Sequence, residues 1–88
     1  MKSTQTNEAV HVDRKLNAVI VRIQTGLYPR ATIEAACRDY EPACSAHLTQ
    51  EGALAVVELV PKTKDIPLDT LGYEFCNYLL GLLKTKQP

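Results

Sequence analysis

The short run Ala53-Leu-Ala-Val-Val-Glu-Leu-Val60 constrains this chain most, being apolar except at Glu58 and stopped by Pro61. It is too short for a buried helix and rich in β-branched residues, so it reads as a strand. A strand this apolar belongs in the middle of a sheet, with at least one face covered. Gln50-Glu-Gly52 just before it makes a tight turn in which Gly52 is free to take a positive φ. The preceding stretch, Ala43–Thr49, is then its hairpin partner. The other elements must fit around that hairpin.

Upstream, the β-branched stretch Ala18–Gln24 reads as another strand, bounded by Gly26. Between it and the hairpin, Ile33, Ala36, Cys37 and Tyr40 repeat at helical spacing, which predicts a helix over Pro29–Tyr40. Pro29 suits a first helical turn, and Pro42 ends the helix. After the polar loop Lys62–Asp65, Leu68, Leu71, Phe75, Tyr78, Leu79 and Leu82 make the stripe of a second helix. Asp65 is placed to cap it, with Pro67 in its first turn. Residues 1–15 are polar, with only Val10 and Val12 isolated among them, and are expected to form a flexible N-terminal arm. Residues 16–84 are expected to form a single βαββα domain, with 85–88 a tail. Eighty-eight residues leave no room for a second core.

In this order the first two strands enclose a helix and the last two form a hairpin. Putting the most apolar strand in the centre gives strand order 1-3-2. The predicted fold is α+β: a two-layer domain with a three-stranded sheet and two helices on one face, a ferredoxin-like unit missing its last strand. Alternation then assigns the faces. Glu58 and Arg22 should avoid the helix-covered core, so Val19, Val21, Ile23, Ala55, Val57 and Leu59 point inward. Cys44, Ala46 and Leu48 join them. The open face receives Ala18, Ile20, Arg22, Leu54, Val56, Glu58 and Val60, flanked by His47.

That face is too apolar to be only wet, and a patch of a few hundred Å² often marks an interface. Ile20, Arg22, His47, Leu54, Val56 and Glu58 are the candidate partner-binding residues, with Arg22 and Glu58 expected to pair across strands. The outer edge of Ala18–Gln24 also looks bare. A homodimer is expected through that strand or through the open face, and an extended peptide can add to the same edge. The arm folding back over the face or edge is the alternative.

Several functions lack their chemistry. Ten Lys and Arg offset ten Asp and Glu, so nothing in the overall charge draws the chain to nucleic acid or an anionic membrane. The open face offers Arg22 but no aromatic for stacking bases. Cys37, Cys44 and Cys76 are odd in number and lack Cys-x-x-Cys pairs, which favours buried reduced thiols over a disulfide framework. Cys44-x-x-His47 has zinc-like spacing, but alternation points the two to opposite faces. Neither histidine is placed beside a nucleophile, and no Gly-rich phosphate loop appears. No catalytic residue, metal or cofactor is therefore expected. The first residues have no signal-like apolar core, and Leu79–Leu83 falls short of the roughly 18 residues that span a bilayer. A cytoplasmic location is expected.

Five short motifs together carry a resemblance: Leu27-Tyr-Pro29, Ile33-x-x-Ala-Cys37, His47-Leu48, Glu58-Leu-x-Pro-Lys62 and Glu74-Phe-x-Asn-x-Leu-Leu80. Over Ala18–Leu83 the chain resembles the small D component of the bacterial His-Xaa-Ser peptide-modification systems. Such systems pair two radical S-adenosylmethionine proteins with a peptide substrate. The resemblance implies a non-enzymatic accessory role, holding the substrate peptide or bridging the radical enzymes. The chain lacks the Cys-x-x-x-Cys-x-x-Cys signature for that chemistry itself. The other reading is a small homodimeric interaction module unrelated to peptide modification.

Overall fold

The computed structural model describes residues 8–85. Four strands and two helices follow in the order β1 (Glu8–Asp13), β2 (Ala18–Gln24), α1 (Arg30–Tyr40), β3 (Cys44–Glu51), β4 (Leu54–Pro61) and α2 (Leu68–Thr85). They form one four-stranded sheet of order β1-β2-β4-β3, with every neighbouring pair antiparallel. The α+β class holds. So does the placing of the apolar strand, β4, between the other two expected strands.

The strand count is corrected from three to four. Residues 8–13, expected to belong to a flexible arm, are strand β1, so the alternative, the arm folding back over the edge, is the one the chain takes. Thr85 of the expected tail ends α2, and residues 1–7 and 86–88 lie outside the described residues. β1 runs antiparallel along the outer edge of β2, from Glu8 opposite Ile23 to Asp13 opposite Ala18. A complete split β-α-β unit carries its last strand at that edge. Here the strand comes from the front of the chain instead, and the edge expected to accept a second copy or a peptide is already paired.

Local chemistry makes the β1–β2 hairpin. Val10 and Val12 alternate with Ala9, His11 and Asp13, which suits a strand with one covered face. The turn Arg14–Asn17 closes when the Leu16 N–H donates to Asp13 Oδ1 at 3.1 Å. Asn17 sits at φ 52°, a left-handed conformation that asparagine tolerates better than most residues. From the turn itself, Arg14 reaches the Asp69 carboxylate at 2.9 Å, joining the hairpin to the start of α2. In the β3–β4 turn it is Gly52 that takes the positive φ, +61°.

Both helices cover one face. Val19, Val21, Ile23, Cys44, Ala55, Val57 and Leu59 are buried against Ile33, Ala36, Leu71, Phe75 and Leu79. Val10, Val12, Ala46 and Leu48 pack at the margins of this core. Phe75 is fully buried and meets Tyr40 edge-on, with ring centroids 5.1 Å apart. Tyr40 itself, expected in the core, is half-buried beside it. Among the described residues, no helix is long and apolar enough to cross a membrane.

Candidate functional surface

With both helices on one side, the other face of the sheet carries no layer from the described chain. Strand register arranges its side chains in rows. One row runs Ala9, Arg22, Val56, Thr49, and the next His11, Ile20, Glu58, His47. The six candidate residues all fall on this face. Ile20, Leu54, Val56 and Glu58 are half-buried, whereas Arg22 and His47 are exposed. Val60 adds a further half-buried apolar side chain. Ala18 shares the parity of the face but is fully buried, so it adds nothing to the surface.

The expected pairing of Arg22 with Glu58 does not form. Ile20 stands directly opposite Glu58, and Val56 opposite Arg22, so acid and base are diagonal neighbours. The ion pairs among the described residues are Arg14–Asp69 and Arg30–Glu34. The Arg22 and Glu58 charges thus stand uncompensated by each other within an apolar surface. His47 lies directly opposite Glu58 on β3, without an ion pair between them.

Strand β1 widens the face with residues that sequence reasoning left in an arm: Ala9, His11 and Asp13. The available signal was the Val10/Val12 alternation followed by Asp13 and Asn17, both turn formers. Both histidines of the chain consequently sit exposed on the open face, His11 on one edge strand and His47 on the other.

The cysteines lie on the opposite side, and all three are free thiols. Cys37 and Cys44 are buried and Cys76 is half-buried. Cys44 faces the core while His47 faces out, so the two cannot share a metal ion. No group of three or more metal-ligating side chains occurs among the described residues. Burial pushes the Cys37 thiol from 9.0 up to about 11, with Cys44 and Glu34 adding to the effect. The Cys44 thiol is also raised, chiefly by burial, with Lys62 opposing. These directions oppose the lowered pKa of a nucleophilic thiolate. At the α1–α2 contact, the Tyr78 hydroxyl donates to the Asp39 carboxylate, which raises its pKa. Burial, with Glu74 next, raises that of Tyr40. The cluster ties the helices together.

No protein family, curated protein or solved structure was found to match this chain. Many of the residues behind the resemblance are core members: Tyr28, Ile33, Ala36, Cys37, Phe75 and Leu79 are buried. They report how the domain packs. Of those motif residues, Glu58 and His47 alone lie on the open face.

Proposed function

We propose that this domain is a non-enzymatic binding protein whose working surface is the open face of its sheet. In this reading it is an accessory of a ribosomal-peptide modification system, holding the substrate peptide or bridging the radical S-adenosylmethionine enzymes. The resemblance supplies the system. One observation supports the surface: Ile20, Leu54, Val56 and Val60 lie half-buried on a side where the described chain provides no covering layer. Burying such a patch yields about 25 cal/mol per Å² of apolar area, before the costs of association. Arg22 and Glu58 within it, and His11 and His47 on its edge strands, are groups that fix orientation more than they add affinity.

The test is co-purification with the two radical enzymes and the precursor peptide of the same system, all expressed together. The wild-type chain is expected to recover at least one of them. A folded Val56→Lys variant is expected to recover none, because lysine puts a charge into the centre of the patch. Equal recovery by the variant removes the open face from the function. If the wild type recovers no member of the system, the assignment to peptide modification fails.

A further inference from the structure

The open face is self-complementary, and we infer that its first occupant is a second copy of this chain, packed face to face. The inference rests on the open face being the working surface and names the partner there. Four side chains at its centre carry the argument. Ile20 is opposite Glu58 and Arg22 is opposite Val56 in the β2–β4 ladder, all on the helix-free side. They form a quadrilateral with Arg22 and Glu58 on one diagonal and Ile20 and Val56 on the other. Diagonal neighbours of this kind lie roughly 7–8 Å apart.

Two copies packed face to face are related by a two-fold axis lying in the interface. An axis along the Ile20–Val56 diagonal exchanges the ends of the charged diagonal. Arg22 of one copy then stands over Glu58 of the other, and the same pair forms again by symmetry. The same axis sets Ile20 against its own counterpart and Val56 against its own. Both charges, which lack an ion pair among the described residues, gain one, and the apolar side chains between them lose water. The strands of the two sheets then cross at roughly 70°, near the orthogonal class of sheet packing, and identical sheets bring matching twist. A radical enzyme or peptide using this face does so by displacing the second copy.

Analytical ultracentrifugation of the full chain tests the inference through charge exchange. Wild type is expected to sediment as a dimer. Arg22→Glu leaves two acids on the diagonal and Glu58→Arg leaves two bases, so each alone is expected to weaken the dimer by more than about tenfold. An equimolar mixture of the two variants restores opposite charges across the interface and is expected to sediment as a dimer again. Circular dichroism establishes that each variant is folded, and Val56→Lys provides a further monomeric control through the apolar diagonal. A wild type that stays monomeric up to millimolar concentration overturns the inference, as does a mixture that stays monomeric while wild type dimerises. Neither result bears on the radical-enzyme co-purification, which judges the working surface separately.

Discussion

A methyl group on Gly72 of α2 would lie 2.5 Å from Val10 Cγ1 of β1 and 3.0 Å from Val19 Cγ1 of β2. Gly72 is therefore a notch in the second helix, and Val10 fills it. This contact locks the N-terminal strand onto the edge of β2 and under α2. In an ordinary exposed helical site, Gly→Ala gains about 1 kcal/mol. Here overpacking is expected to dominate, with Gly72→Ala costing about 1–3 kcal/mol. Val10→Ala vacates the notch, so adding it should recover much of the loss caused by Gly72→Ala. Urea denaturation of both singles and the double gives the coupling directly. Additive losses would mean that β1 is not held by this contact.

The Arg14–Asp69 pair fastens the same hairpin far more weakly. Both side chains are more than two-thirds exposed, and exposed pairs contribute about 0–1 kcal/mol and are screened by salt. Arg14→Ala should shift the denaturation midpoint slightly at low ionic strength and less at high salt. A large, salt-independent loss would place another role on Arg14.

Phe75 is the central side chain of the helical layer, fully buried and edge-on to Tyr40. Phe75→Ala is expected to cost about 3–5 kcal/mol, a large part of the stability of a domain this small. Loss of cooperative unfolding in calorimetry is the expected outcome. An unchanged transition would contradict the packing of α2 on the sheet.

The thiols give the pH dependence its sign. Cys37 is raised from 9.0 to about 11, so the folded chain keeps its proton where the unfolded chain has lost it. Its contribution to stability is complete below pH 9.0 and falls as pH rises towards about 11. Tyr40 and Cys44 shift in the same direction. Urea unfolding across this range should show falling stability, and Cys37→Ala should flatten the fall. Near neutral pH, Cys37 and Cys44 should react with iodoacetamide only after unfolding. Fast alkylation of either in the native protein would contradict their burial.

Much of this architecture is legible in single residues. Glu58 and Arg22 cannot face the helices, which fixes the parity of β4 and β2 and with it the open face. Pro61 and Gly52 bound β4, and its apolarity places it centrally. The N-terminal strand was not legible in the same way. Val10-His-Val12 is too short an alternation to stand out beside polar neighbours, and its stability comes from partners distant in sequence, the β2 edge and the Gly72 notch. That omission hid the contribution of His11 to the surface. Parity gives Arg22 and Glu58 a shared face but not a register. One residue pair further along, the two are diagonal rather than opposed.

The two histidines allow the most direct test of the open face as the working surface. They are the only ones in the chain and lie exposed on its two edge strands. Modification by diethyl pyrocarbonate, followed residue by residue in a mass spectrometer, therefore reports coverage of this face alone. Tyr73, on the outer side of α2 and 67% exposed, serves as the internal control through its own modification. Bound to its partner, whether a second copy or a radical enzyme, the protein should show His11 and His47 protected together while Tyr73 stays reactive. Histidines that react as fast in the complex as in the monomeric Val56→Lys variant, with Tyr73 protected instead, would move the interface to the helical side.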